Sequence, residues 1–239
     1  MFVTLSYHII NSAISDKIAI GEDAFEQQLA YLQTHGYTTL SLEQAIADLN
    51  GGRQAPRRAV LLTFDDGYAD TVQVALPRLQ ACGMRATLFV ITGYIGQSNR
   101  WNTRACYDAQ HMTWDQLRHW HENGGDLGGH SHLHHCMTRL SLEELRETVE
   151  HNKRLLEQET GITPRAFAYP YGRFNPAVID VARQHYELAF ATDGGVWDAS
   201  ANRYAINRLT VSPAWSIEEF AAQLGRQGDR KGRPYHTTK

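Results

Sequence analysis

Residues 59–64 read Ala-Val-Leu-Leu-Thr-Phe, an unbroken run of apolar and β-branched side chains. A strand with one face in water alternates polar and apolar residues. A continuous run instead marks a strand covered on both faces, as in a parallel sheet flanked by helices. Similar runs are expected as strands at 2–7, 37–42, 85–91, 126–129, 165–168, 188–192 and 204–211. Helical spacing fills the gaps at 23–36, 42–49, 69–82, 114–123, 141–160, 175–186 and 216–224. Ser41 with Gln44 and Ser141 with Glu144 have the spacing of capping boxes, and Gly83 and Gly161 stand where helices stop. Regular β–α alternation argues for a parallel sheet with helices outside it. About seven such units and no dinucleotide-type glycine motif favour an incomplete α/β barrel over an open doubly wound sheet. A single domain is expected over 1–225, with a disordered Gly/Arg/Lys-rich tail over 226–239.

Composition sets limits on partners. The chain has 239 residues, 42% hydrophobic and 21% charged, with a formal charge of -3. No basic face is evident, so nucleic acid is not an expected partner. No run approaches the ~20 apolar residues of a membrane span. The first residues lack the basic and apolar regions of a signal peptide, which makes a cytoplasmic location the expectation. Cys82, Cys106 and Cys136 are odd in number and lack Cys-x-x-Cys spacing, which fits reduced thiols. The sequence does not address oligomeric state.

The chemistry gathers at strand ends. Asp65 and Asp66 follow the 59–64 strand directly, then Gly67 allows a sharp turn. Consecutive side chains of an extended chain point opposite ways, so both acids can face one point only if the strand is ending there. Two acids at a strand end suggest one to bind a cation and one to handle protons; an ordinary Asp-Asp-Gly turn is the alternative. His8, His130, the Tyr169-Pro170-Tyr171 stretch and Asp193 also fall just past predicted strands. The carboxyl ends of the strands are where a barrel places its chemistry. His130 and His134 are spaced for two imidazoles on one metal. One added carboxylate completes a two-His, one-Asp set that leaves a position open for water. His132 and His135 share that loop as supporting or surface residues. Residues 92–112 lose periodicity altogether, the mark of a functional lid or insert. Within them Trp101 is a candidate for stacking on a sugar ring.

Thr63-Phe64-Asp65-Asp66-Gly67 with His130-Ser131-x-x-His134 resembles the NodB-type polysaccharide deacetylases, carbohydrate esterase family 4. The resemblance runs from about residue 8 to 211. It implies a distorted (β/α)7 barrel and metal-dependent removal of N-acyl groups, usually acetyl, from amino sugars. It also implies Asp65 as general base and Asp66, His130 and His134 as ligands of a divalent metal, zinc by expectation. Pro170 and Tyr171 resemble the family's third motif, in which the Tyr171 N–H helps hold the oxyanion. Three features depart from the family pattern. Ala168 stands where an Arg usually orients the base, Asp193 and Trp197 only loosely echo a fourth motif, and no Leu-x-His supplies a general acid. A subset similar to the enzymes of poly-N-acetylglucosamine export shares these losses and carries an N-terminal Tyr-His. By that resemblance His8, after Tyr7, is the expected acid, and Arg208 is a possible substitute for the missing Arg.

The expected partner is therefore an N-acylated carbohydrate, as a polysaccharide or oligosaccharide. Two other readings stay open. One is a deacylase or deformylase of a nucleotide- or lipid-linked sugar precursor. The other is a non-catalytic carbohydrate-binding relic.

Overall fold

In a computed structural model, the structure describes residues 2–52, 54–99, 102, 107–192, 195, 199 and 201–229. The chain opens with β1 (Val3–Tyr7), β2 (Ile9–Ile10), β3 (Ala19–Ile20), α1 (Glu22–Thr34), β4 (Thr38–Thr39) and α2 (Leu42–Leu49). It continues through β5 (Ala59–Phe64), α3 (Leu76–Ala81), β6 (Thr87–Val90), α4 (Trp114–Glu122) and β7 (Asp126–Gly129). It closes with α5 (Leu142–Thr160), β8 (Ala166–Ala168), α6 (Pro176–His185), β9 (Leu188–Phe190), β10 (Leu209–Thr210) and α7 (Ile217–Asp229). Ser41, Thr113 and Ser141 each form a complete capping box, which fixes where α2, α4 and α5 begin.

All pairings in the main sheet are parallel, in the order β10-β1-β5-β6-β7-β8-β9, with β4 also on β5. The sheet curls because one stretch touches both its edges. Ile206 bridges Phe190 at the end of β9, and Leu209 pairs with Leu5 of β1. This is a single-domain (β/α)7 half-barrel: the β–α alternation implied an incomplete barrel, and the family resemblance its (β/α)7 form. Every residue of β5 is buried, as a strand covered on both faces requires. Leu61, Phe89, Ala166, Ala168, Leu188, Phe190 and Ile206 pack together in one apolar cluster. A larger cluster built on Leu5, Val60, Leu62, Phe64 and Leu88 takes the apolar stripes of α1, α4 and α7. At roughly 1.5–3 kcal/mol for each buried large apolar side chain, these two layers provide the main drive to fold.

Several details differ from the sequence reading. Residues 69–82 do not start as an α-helix; Thr71–Ala75 form a π turn before α3. Such turns gather near functional sites and are invisible to a 3.6-residue period. The polar loop after β1 contains the short parallel pair β2–β3, too brief to leave a periodic pattern. Helix α7 runs to Asp229, past the Gly225 where its apolar stripe ends. Among the described residues, no helix is long and apolar enough to cross a membrane. Cys82 and Cys136 are free thiols; Cys106 lies outside the described residues.

Asp70, beside the π turn, anchors β2: its Oδ2 accepts the Ile10 N–H at 2.7 Å. Its Oδ1 is buried with no hydrogen-bond partner among the described residues. Burial pushes the Asp70 carboxyl up to about 7. An acid raised in the folded state stabilises the fold most when both states are protonated, below about pH 4. That stability is lost as pH rises to about 7. Relative to wild type, Asp70→Asn should therefore gain about 2 kcal/mol between pH 5 and pH 8. Urea unfolding at the two pH values measures this; an unchanged difference would show that Asp70 is ionised throughout.

Candidate active site

The main sheet's carboxyl end gathers the polar residues. β5 stops at Phe64, and Asp65 still follows the ladder, its N–H bonded to the Tyr7 carbonyl at 3.0 Å. Asp66 then takes φ of 71° and Gly67 φ of 82°. This left-handed step breaks the strand's alternation and lets two adjacent carboxylates serve one site. The same conformation recurs at Ser131 (φ 66°), His134 (φ 55°) and Tyr171 (φ 59°). Those four are the non-glycine residues with positive φ among the described residues, and all four lie at this site. Backbone strain of about 1–3 kcal/mol per residue persists only where surrounding structure enforces it, most often at functional sites.

Asp66 Oδ1 lies 3.3 Å from His130 Nε2 and 3.5 Å from His134 Nε2. The ligand atoms of all three residues fall within 4.8 Å of one another, and all three are buried. His130 Nδ1 lies 2.7 Å from the Ala168 carbonyl oxygen. A carbonyl only accepts, so Nδ1 carries a hydrogen and Nε2 is the atom turned toward Asp66. Burial pushes His134 down to about 3, so its ring is neutral. Burial opposes ionisation of Asp66, but His130, which hydrogen-bonds to it, with His134 and His8 outweighs it and holds the carboxyl far below its usual range. One carboxylate oxygen and two imidazole nitrogens thus converge on one point. With the imidazoles deprotonated, such a set fits a divalent metal. The second nitrogen of His130, bonded to a backbone carbonyl, is oriented as metal-binding imidazoles generally are.

Asp65 has a different partner. The Arg208 guanidinium grips it with both terminal nitrogens, Nη1 to Oδ1 and Nη2 to Oδ2, each at 2.7 Å. Arg208 is 3% exposed, so the pair is buried, not the surface ion pair that a lone Arg in sequence suggests. It also reaches the Thr63 hydroxyl at 3.1 Å and the Ala191 carbonyl at 3.3 Å, and lies over the Phe89 ring. Burial would raise the Asp65 carboxyl, but Arg208, His130 and His8 outweigh it and hold the acid below its usual range. His8 Nε2 is 3.8 Å from Asp65 Oδ2, on the half-buried rim.

Pro170 is buried at the start of the Pro170–Gly172 turn, while Tyr171 is 57% exposed with its ring 4.6 Å from that of His134. A cleft of about 700 Å³ opens beside these groups, lined by Tyr94, Asn102, Leu133, His134, His135, Cys136, Arg139, Leu140, Tyr171 and Arg173. His132 is half-buried, its Nδ1 3.1 Å from the Thr92 hydroxyl. Trp101, Asp193 and Trp197 lie outside the described residues.

Two positioning groups escaped the sequence reading. The Asn152 amide nitrogen lies 2.7 Å from the Ser131 carbonyl, 2.9 Å from that of Val90 and 3.1 Å from the Thr92 hydroxyl. Asn152 thus pins the loop that carries both histidines. A signal was available: Leu145, Val149, Asn152 and Leu156 form one buried helix stripe, with a polar residue at a core position. The other is His111, whose Nδ1 lies 3.1 Å from the Asp66 carbonyl oxygen.

Fold and site together define a barrel with a three-ligand centre and a clamped carboxylate at its mouth. The sequence model for "Polysaccharide deacetylase" matches residues 52–187, more than half the chain, and the chain belongs to that family. YxkH of Bacillus subtilis (strain 168) is 28% identical over 221 residues, covering 92% of this chain and 75% of that one. The poly-beta-1,6-N-acetyl-D-glucosamine N-deacetylase of Escherichia coli (strain K12) is 23% identical over 258 residues. That match covers 93% of this chain but only 38% of the Escherichia coli protein. Among solved structures, the Streptococcus pyogenes deacetylase PplD in complex with acetate superimposes with a TM-score of 0.80 at 26% identity. The superposition covers 93% of this chain and 97% of PplD.

Replacing Arg208 with Met would leave Asp65 buried and unpaired. Arg208→Met should cost about 3–5 kcal/mol at neutral pH, read by urea unfolding. A depressed carboxyl stabilises the fold above the unfolded pKa of about 4 and loses that contribution as pH falls. The gap between wild type and Arg208→Met should therefore narrow in acid. A constant gap would mean that the ion pair is not its source.

Proposed function

We propose that the chain is a metal-dependent N-deacetylase of amino sugars in a polysaccharide or oligosaccharide. The single observation that carries this reading is the convergence of Asp66, His130 and His134 beside an ionised, Arg-clamped Asp65 on an open cleft. The names and titles of the relatives support the acyl group and the sugar class. A divalent cation held by the three ligands, zinc by its N/O donor set, would supply Lewis-acid chemistry, acidifying water and polarising the acyl carbonyl.

The chain's own groups divide the remaining work. Asp65 takes the proton from the attacking water; Arg208 keeps the carboxylate ionised and fixes the direction of its lone pairs. The water oxygen adds to the acyl carbon, and the Tyr171 N–H stabilises the negative charge gathering on the acyl oxygen. The C–N bond then breaks, and His8 donates the proton that converts the leaving nitrogen to an amine. The products are acetate and a free amino sugar. His8 sits within 4 Å of Asp65, so the groups that receive and return a proton are neighbours. The exposed rings and side chains of Tyr171 and Leu133 give a sugar an apolar surface at the mouth.

Acetate release from an N-acetylglucosamine oligomer tests the reading. Wild-type protein should release acetate and lose that ability to a chelator. Asp65→Asn should abolish turnover while still binding zinc, whereas alanine at Asp66, His130 or His134 should remove metal and turnover together. His8→Ala should slow the reaction about 10²–10⁴-fold, the range of one acid–base group. A fully metal-loaded wild type that binds the oligomer and releases nothing would instead indicate a binding protein.

A further inference from the structure

The residues before α4 do more than wall the cleft. The Ala69 N–H bonds to the Gln110 carbonyl and the Met112 N–H to the Gly67 carbonyl, each at 2.8 Å. Between them Tyr68 and His111 form an antiparallel bridge. Residues 110–112 therefore grip the turn that carries Asp66. Backbone bonds of this kind are open to almost any sequence, but one contact depends on the side chain. The His111 ring stacks on Tyr68, with centroids 4.8 Å apart and planes 24° from parallel, and its Nδ1 lies 3.1 Å from the Asp66 carbonyl oxygen. That carbonyl can only accept, so Nδ1 is the donor. His111 is 2% exposed, so water does not compete for the bond. The carbonyl belongs to the peptide that leaves Asp66, whose φ of 71° is uncommon for a residue bearing a Cβ.

We propose that His111 is a positioning residue for the metal centre: its Nδ1–H holds the Asp66 peptide in the left-handed turn that aims Oδ1 at His130 and His134. This rests on the reading of Asp66 as a metal ligand. The competing account is that His111 only fills space against Tyr68. The two differ in which part of the imidazole matters. Asn places an amide nitrogen close to the position of Nδ1 but gives up the ring, whereas Phe keeps a ring against Tyr68 and gives up the donor.

The test is a zinc titration of folded metal-free protein against a chromophoric chelator, with near-UV circular dichroism as the check on folding. His111→Phe should bind zinc about 10–100-fold more weakly, the usual loss when a group that orients a metal ligand is removed. His111→Asn should stay within about threefold of wild type, even if it melts at a lower temperature. If His111→Phe does not fold, His111→Gln replaces it, since its amide falls near the Nε2 position and off the carbonyl; the same weakening is expected. A second readout is amide exchange at residues 67–69 in the metal-free protein, which should speed up in the donor-less variant and not in His111→Asn. Equal zinc affinity in wild type and His111→Phe overturns the proposal. So does equal weakening of His111→Phe and His111→Asn, or weakening of His111→Asn alone, because each assigns the effect to packing. A wild-type protein that binds no zinc overturns the metal reading first and this inference with it.

Discussion

Two neighbouring carboxylates must face one point, and an extended chain forbids it. Everything at the mouth of this barrel follows from how that conflict is resolved. The strand ends at Phe64, Asp65 keeps the extended direction, and Asp66 swings into left-handed backbone. The cost is of order 1–3 kcal/mol, and it recurs at Ser131, His134 and Tyr171. None of these could hold alone. Each is over-determined by rigid neighbours: the fully buried β5 beneath Asp66, the Asn152 amide at the Ser131 carbonyl, and the Ser131 hydroxyl, which accepts the His134 N–H at 3.0 Å. A strained loop on a soft scaffold would relax. Here the barrel's apolar layers supply the stiffness, which is why the site sits at the strand ends and not on a free loop.

The two acids share a backbone but differ in charge partner, and that difference gives them different chemistry. Asp65 meets a permanent cation, so its charge is already balanced. Asp66 Oδ1 meets two imidazole nitrogens, which can hold either a proton or a metal. Swapping the partners would destroy both roles. A guanidinium on Asp66 would leave no need for an added cation, and two neutral imidazoles on Asp65 would leave a buried charge uncompensated. In the absence of a cation the cluster also draws protons: the carboxylates of Asp65 and Asp66 outweigh burial and raise the His130 pKa. A metal entering the site therefore competes with a proton, as ligand sets of this kind generally require.

The parts of this arrangement legible in the sequence were those written in short-range pattern. The unbroken apolar run at β5, the capping boxes at Ser41 and Ser141, and the Asp-Asp-Gly and His-Ser-x-x-His spacings each concern residues within a few positions of one another. What the sequence did not reveal depends on distance. Asn152 is more than sixty residues from the Val90 carbonyl that it shares with the sheet, and it announces itself only as a polar residue in an apolar helix stripe. His111 lies in a stretch with no periodicity, because its backbone N–H bonds to the Gln97 carbonyl and its ring to the Asp66 carbonyl 45 residues earlier, not to neighbours within a helix. The π turn at Thr71–Ala75 was read as plain α-helix, since its residue types suit either form.

Arg208 shows why a missing motif residue is weak evidence of lost chemistry. The related enzymes' pattern places an arginine just before the Tyr-Pro-Tyr stretch, and this chain has Ala168 there. In the structure that position is occupied by something else that the site needs: the Ala168 carbonyl takes the His130 Nδ1–H and fixes the ring. The cation on Asp65 arrives from the other end of the chain, on the stretch that closes the sheet between β9 and β1. Barrel closure makes this substitution possible. Positions far apart in sequence, here separated by 143 residues, become neighbours around a ring, so a buried carboxylate can draw its partner from any strand end. What a buried carboxylate at this place requires is a guanidinium within 3 Å, with water excluded, and Arg208 supplies it. A carbohydrate-binding relic would have no reason to keep a buried, doubly bonded ion pair at this place. Replacing such a pair with apolar residues of similar volume is often neutral or stabilising. Its retention beside three converging ligands therefore weighs toward working chemistry.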